Sequence, residues 1–339
     1  MKILYLGDTF EHSTSAHRAN ALRRLGHEVT HVNPRSELPK SRIIGGLSVR
    51  VGFGIFAPLM LRTVKRAIAG KSFVLAWIDA GAELGPQVHR YLQAQGMKIV
   101  NYNVDDPFGA RDGKKWKLYR ESVKFHDLTV VVRSENISEA EAHGARRVLR
   151  VYRSYDPVAH APVVLSPEEQ KMWESEVSFI GTWMPERGPF MAELLKRGVP
   201  LTIRGDWWQK APEWEQLRTA WKGPGIYGRD FVAATQASKV ALGLLSKGNR
   251  DLHTTRTAEV PYICGPVFCA QDTSEHRLLF THGESALLWS DAETCAQLCR
   301  HALANPVKSA DISASAKKAI LTHRLSNDEV IAGVLDQLS

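Results

Sequence analysis

The chain has 339 residues, 44% of them hydrophobic and 24% charged, which is ordinary globular composition and excludes a disordered or fibrous polymer. At roughly 100–200 residues per domain, this length predicts two domains. The formal net charge of +8 favours an acidic partner: nucleotide phosphates, anionic lipid, an acidic glycan or nucleic acid.

No secretory leader is expected, because Gly7 and Asp8 interrupt the first apolar run. The most apolar stretch, residues 51–61, is shorter than the roughly 20 residues of a spanning helix. A cytoplasmic protein is therefore expected.

The first half alternates apolar runs with amphipathic ones. Strands are predicted at "KILYLG" (2–7), "HEVTHVN" (27–33), "SFVLAWI" (72–78), "MKIVNYN" (97–103), "DLTVVV" (127–132) and "RRVLRVY" (146–152). Helices are predicted between them at 15–25, 57–69, 83–95 and 134–143. Gly26, Gly96 and Gly144 read as helix C-termini, and Ser134 as an N-cap. Segment 154–175 carries three prolines and little periodicity, and reads as a linker.

Strands resume at "EVSFIG" (176–181), "PLTIRG" (200–205), "KVALGLL" (239–245), "PVFCA" (266–270) and "ALLWS" (286–290), followed by helices near 291–304, 308–322 and 326–338. Strand–helix–strand repetition implies parallel sheets with right-handed crossovers. The expected fold is α/β: two Rossmann-like doubly wound domains, 1–153 and 176–322, facing across a cleft, with 323–339 as a C-terminal helix packing back toward the first. Ligands of such sheets bind at the carboxyl ends of the strands.

Several stretches fall at those ends. In "FIGTWMPERG", Gly181 admits a ligand to the backbone, Thr182 offers a hydroxyl and an amide, and Arg187 suits a diphosphate. In "IRGDWW", Gly205 opens the backbone again, and Trp207 or Trp208 can stack on a flat base. Tyr227, in a glycine-flanked loop, and Lys239, at a helix-to-strand junction, are further phosphate candidates.

The stretch "RDLHTTRTAEVPYICGPVF" places Asp251 and Glu259 eight residues apart, with Arg256 between them. Thr254 or Thr255 would cap the helix that carries Arg256 and Glu259. Glu259 can accept both hydroxyls of a ribose diol, Asp251 can take sugar hydroxyls, and Arg256 can neutralise a diphosphate. The alternative is a surface ion pair, but that leaves an acid beside an apolar run with no partner.

These residues carry a resemblance. "RTAEVPYICGPVFCAQDTSEHRLLFTHGESALLWSDAETC", with "FIGTWMPERG" and "NYNVDDPFG", resembles the GT-B glycosyltransferases, specifically the group-1-like branch that includes CgeB-type spore-maturation proteins. The resemblance implies a GT-B fold and a metal-independent transferase with no cofactor, whose donor is a nucleoside-diphosphate sugar, a UDP-sugar foremost. Related retaining families carry E-x7-E, whereas Asp251-x7-Glu259 has a shortened first acid, which leaves the stereochemical outcome open.

The first domain would then hold the acceptor, with Asp105, Asp106, His12 and Asp251 as catalytic candidates and His17 and Asp79 near the same edge. The acceptor class stays open among glycan, lipid, protein and nucleic acid, as does the oligomeric state. Segment 48–71, apolar and basic, is a candidate for peripheral contact with an anionic membrane or for packing on its own sheet. Two rival readings remain: a transferase acting on DNA or RNA, and a nucleotide-sugar-binding module without turnover. No G-x-G-x-x-G opens either domain, which argues against a dehydrogenase. Cys264, Cys269, Cys295 and Cys299 lack zinc-ligand spacing and read as buried free thiols, so no metal site is expected.

Overall fold

Apolar strands joined by amphipathic crossovers give two wholly parallel sheets. The computed structural model describes residues 1–38 and 50–338 and divides into two units. The first unit comprises residues 1–152, 248–250 and 327–339, and the second 153–247 and 251–326.

In the first unit, β1 (Lys2–Leu6), β2 (Glu28–Val32), β3 (Leu75–Asp79), β4 (Lys98–Asn103), β5 (Leu128–Val131) and β6 (Val148–Arg150) lie in the order β2-β1-β3-β4-β5-β6. Strand alternation sends Leu4, Leu6, Ala76, Ile78 and Ile99 to one face, under Met60, Val64 and Leu92. Ile3, Tyr5, Trp77, Val100 and Tyr102 go to the other, under Leu22, Ile331 and Val334. Ile331 and Val334 belong to the last helix, Asn327–Asp336, whose Asp328 accepts from Arg24 Nε at 2.9 Å. The helix Ala57–Ile68 turns Met60, Val64 and Ile68 onto its own sheet, so its apolar side is already covered. Residues 48 and 49 of the candidate membrane segment lie outside the described residues. No helix among the described residues is long and apolar enough to cross a membrane.

In the second unit, β7 (Ser175–Ile180), β8 (Leu201–Arg204), β9 (Ser238–Gly243), β10 (Val267–Gln271) and β11 (Leu287–Trp289) lie in the order β11-β10-β9-β7-β8. Val177, Phe179, Val240, Leu242, Val267 and Cys269 pack against Met191, Leu194, Cys295 and Cys299.

Two local expectations need correction. Ser134 sits at the start of the helix Glu135–Ala142, but in helical geometry and with no capping hydrogen bond. The segment expected to be only a linker contains the helix Pro167–Trp173. A capping box between Ser166 and Glu169, with proline in the first turn, starts that helix without help from periodicity.

One buried pair in the first unit has a proton count fixed by its partners. His89 Nδ1 lies 2.9 Å from the Gly85 carbonyl, so it carries the hydrogen and Nε2 accepts. His126 Nε2, at 3.2 Å, is then the donor, and its Nδ1 accepts from Thr129 Oγ1 at 3.1 Å. Both rings are neutral. Burial lowers both, His89 to about 4 from an ordinary 6.5. Below pH 6.5 the unfolded chain takes up protons that the folded chain refuses, so stability falls from there toward about pH 4. His276, also lowered by burial, adds to the same slope in the second unit. Replacing both residues of the pair, His89→Gln with His126→Gln, should flatten the fall of the urea midpoint across this window. An unchanged slope would remove the pair as its source.

Candidate functional site

In the second unit the chain leaves β7 and β9 toward opposite sides of the sheet, which opens a crevice at their carboxyl ends. Two arginines converge there. Arg187 opens the helix Arg187–Lys196, and its Nη1 donates to Thr182 O at 2.7 Å. Its Nη2 donates to Leu244 O at 3.1 Å and Leu245 O at 3.2 Å, tying the end of β7 to the end of β9. Arg256 opens the helix Arg256–Ile263. Its Nε donates to Ile180 O at 3.2 Å, and its guanidinium lies 4.2 Å from the centre of the Phe231 ring.

Glu259 lies one turn along that helix, 2% exposed. Its carboxylate is held by the Arg256 guanidinium. It also lies 3.4 Å from His160 Nε2. His160 Nδ1 accepts from the Asp156 amide at 2.9 Å, so Nε2 carries the hydrogen that faces Glu259. Thr255 occupies the N-cap position but makes no side-chain cap; Thr257 Oγ1 instead accepts from the Thr254 amide at 3.0 Å.

Gly181 and Gly205, at the ends of β7 and β8, are in close contact. A Cβ on Gly205 would lie 2.0 Å from Gly181 O, and its φ of +152° is one that only glycine adopts readily. Trp208 is buried and donates through Nε1 to Gly181 O at 2.9 Å, so it covers the sheet end. Trp207 next to it is 58% exposed, in left-handed geometry with φ +67°. Tyr227, at the N-cap of the helix Gly228–Gln236, is 51% exposed. The structure thus leaves Trp207 and Tyr227, and not Trp208, open to a flat ligand.

Lys239 does not join this group. It starts β9, at the amino edge of the sheet, and pairs with Glu176 at 2.6 Å. Asp251 is also engaged elsewhere: it is buried and accepts from Arg153 Nη2 at 3.0 Å. Arg153 Nη1 further donates to His253 O at 2.6 Å. Beside Arg187, a cavity of about 290 Å³ is lined by Phe190, Lys247, Trp289 and Asp291. Phe190 and Trp289 stack there with ring centres 4.5 Å apart.

In the first unit a cavity of about 350 Å³ opens at the carboxyl ends of β1 and β3, where that sheet has its own switch point. Asp105 lines it, with Asp8, Asp79, Glu83, Arg35 and Lys115. Asp79 is held by Arg18, whose Nε and Nη2 donate at 2.6 and 3.0 Å, and by Tyr5 OH at 2.6 Å. Asp106 is not part of this cavity's lining. It accepts from Arg250 Nε and Nη2, both at 2.7 Å, from Asn136 Nδ2 at 3.0 Å and from the Gly109 amide at 3.0 Å. Burial raises its carboxyl, but the hydrogen bonds from Arg250 and Asn136 outweigh burial and hold it below the ordinary value. His12 is exposed in the loop after β1, beside Glu11. His17 is buried in the first helix.

Arg153, His160, Arg18 and Arg250 organise these acids, and sequence reasoning passed over all four. Arg250 and Asp106 are 144 residues apart and Arg153 and Asp251 are 98 apart, so no local spacing signals them.

A family model described as "Glycosyl transferase-like" matches residues 187–332, the span that contains Arg187, Arg256 and Glu259. Sucrose-phosphate synthase from Thermosynechococcus elongatus has a similar structure, with a TM-score of 0.70 at 12% identity over 100% of this chain and 98% of that one. Anabaena HepE, crystallised with UDP, gives 0.65 at 14% over 99% and 100% of the two chains. α,α-Trehalose 6-phosphate synthase from Burkholderia multivorans gives 0.64 at 13% over 99% and 96%. The fold is therefore GT-B, built of two parallel-sheet Rossmann-like domains. No match was found among curated proteins.

Gly205→Ala should cost about 2 kcal/mol or more of stability, because an overlap with the Gly181 carbonyl adds to an unfavourable φ. Urea denaturation reads this directly, with Gly333→Ala, whose Cβ meets nothing within 4 Å, as the control. Equal losses in the two variants would refute the tight approach of β7 and β8.

Proposed function

We propose that the protein is a glycosyltransferase that moves a sugar from a nucleoside-diphosphate sugar, a UDP-sugar foremost, to an acceptor hydroxyl. The observation that carries this reading is the convergence of Arg187 and Arg256 at the β7/β9 crevice, with Glu259 one helical turn away. A diphosphate needs cations at a strand-end crevice, and a ribose needs a carboxylate beside it. The glycosyl transferase-like match over 187–332 and the presence of UDP in the HepE crystals support the same donor class.

In this reading the donor's pyrophosphate lies by Arg187, Arg256 and the Thr182 amide. Glu259 takes the ribose diol, with Arg256 and His160 holding its carboxylate in place. Trp207 and Tyr227 flank the base. The acceptor oxygen attacks the anomeric carbon, forming one carbon–oxygen bond as the bond to the β-phosphate oxygen breaks. The nucleoside diphosphate leaves with both bonding electrons, and the arginines stabilise its charge, with no resident metal required. The acceptor's proton passes to a carboxylate. Asp105 is the candidate that lines the acceptor cavity, while Asp106 and Asp251 are held by Arg250 and Arg153 and serve as structural anchors.

The acceptor cavity favours a hydroxyl-rich ligand over a polyphosphate. Four carboxylates line it (Asp8, Asp79, Glu83 and Asp105) against three cations, Arg35 and Lys115 in the lining and Arg18 behind Asp79. That excess disfavours the acceptor being DNA or RNA, whose backbone needs net positive charge. Any peripheral attraction to anionic lipid falls to exposed cations such as Arg62 and Lys65, because the apolar side of their helix is packed.

A thermal-shift series with UDP, UMP and uridine tests the donor site. UDP should raise the melting temperature and uridine should not; a ligand at 100 times its Kd contributes about 2.7 kcal/mol. Glu259→Gln, which keeps the side chain's volume, should abolish the shift, and Trp207→Ala should weaken UDP binding about tenfold. Turnover of a UDP-sugar should survive EDTA. A full UDP shift in Glu259→Gln would refute the site, and binding without turnover on any acceptor would favour the non-catalytic module.

A further inference from the structure

Three of the four cysteines meet inside the second unit. Cys269 comes from β10, and Cys295 and Cys299 lie one turn apart on the helix Ala292–Ala304. All three are fully buried, and their sulfurs lie within 4.8 Å of one another. Strand alternation points Cys269 at this helix, and the i,i+4 spacing stacks the other two opposite it. All are free thiols. Val240, Leu242, Val267 and Ala296 belong to the same apolar cluster. Cys264 stands apart, with its sulfur 3.5 Å from Ser313 Oγ.

Hydrogen bonds from Cys269 and then Cys295 pull the Cys299 thiol down, and contacts with Cys295 and then Cys299 push Cys269 up. The three sulfurs face one another, a donor set already turned inward. The group contains three sulfurs and no histidine or carboxylate. A structural zinc ion takes four ligands, so this set is one short.

We propose that Cys269, Cys295 and Cys299 form a binding site for a trivalent thiophilic oxyacid of the arsenous or antimonous class. Each sulfur forms one bond to the central atom, and each sulfur's proton leaves with one of its three hydroxyls as water. Three arsenic–oxygen bonds break, three arsenic–sulfur bonds form, and arsenic stays trivalent. The product is neutral, three-coordinate and pyramidal, with no fourth ligand needed. Neutrality selects this class, because a tris-thiolate of zinc(II) carries one negative charge and that of copper(I) carries two. Burying either in this cluster costs several kcal/mol unless it is paired. The filled site would also bind β10 to the helix Ala292–Ala304 through three bonds.

The test uses the full-length chain with arsenite as the probe, both added to native protein and present during refolding from denaturant, so that burial alone does not block access. Intact-mass measurement should show one arsenic less three hydrogens per chain, and the melting temperature should rise. Cys264→Ala should bind like the parent. Cys269→Ser, Cys295→Ser and Cys299→Ser should each weaken binding roughly hundredfold, because a chelating arm is lost. If a serine variant fails to fold, the matching alanine variant, which leaves no unpaired hydroxyl, takes its place. Absence of arsenic after refolding, binding undiminished in two of the three variants, or zinc retained at one per chain in the presence of arsenite would each overturn the proposal.

Discussion

The second unit's site depends on the buried guanidinium of Arg187. A parallel sheet sends its chain ends out along one edge, and where neighbouring connections diverge the carbonyls there lose their ladder partners. Arg187 gathers three of them, from Thr182, Leu244 and Leu245, and so closes the seam between β7 and β9. A guanidinium is a cation at every accessible pH. The group that satisfies those carbonyls therefore also fixes positive charge at the crevice, and fold and anion preference come from one side chain. Lysine, with a single nitrogen, could not span the three acceptors and hold that geometry.

The first unit solves a similar problem with paired charges. At its β1/β3 switch point, Asp79 accepts two hydrogen bonds from the Arg18 guanidinium and one from Tyr5 OH. Removing one partner from such a buried pair leaves an uncompensated ion, which is costlier than losing the attraction itself. Asp106 is in the same position relative to Arg250 and Asn136. Both acids look catalytic by location, yet both are committed to holding the strand ends in place. Asp105, one residue away, follows a backbone turned by Asn103 Oδ1 and reaches the cavity instead.

The sheets were legible because their information is local. Runs such as "KILYL" and "LAWID" alternate between two apolar faces, and the helices between them carry one apolar stripe. Arg187, Arg256, Gly181 and Gly205 were legible for the same reason: each sits at a fixed offset from a strand end or a helix start. Lys239 was misplaced by that logic, because a helix-to-strand junction falls at the amino edge, not the carboxyl edge. The partners of Asp106, Asp251 and Glu259 were not legible, since Arg250, Arg153 and His160 come from distant segments with no spacing rule. The meeting of Cys269 with Cys295 and Cys299 is hidden likewise. Each pair of cysteines has a local explanation, and only the packing of β10 on the helix Ala292–Ala304 joins them.

Charge shows most plainly how a total can mislead. A net +8 suggests a polyanion-binding surface, but fields at a site come from charges within about a Debye length, roughly 8 Å in physiological salt. At the second unit's crevice, Arg187, Arg256 and Lys247 stand with Glu259, which Arg256 already pairs, and with Glu186 and Asp291. In the first unit's cavity carboxylates outnumber cations. The two local balances thus differ from one another and from the chain's total, although both belong to one basic chain. A chain total therefore says little about which ligand a site accepts; the charges standing beside each site decide that.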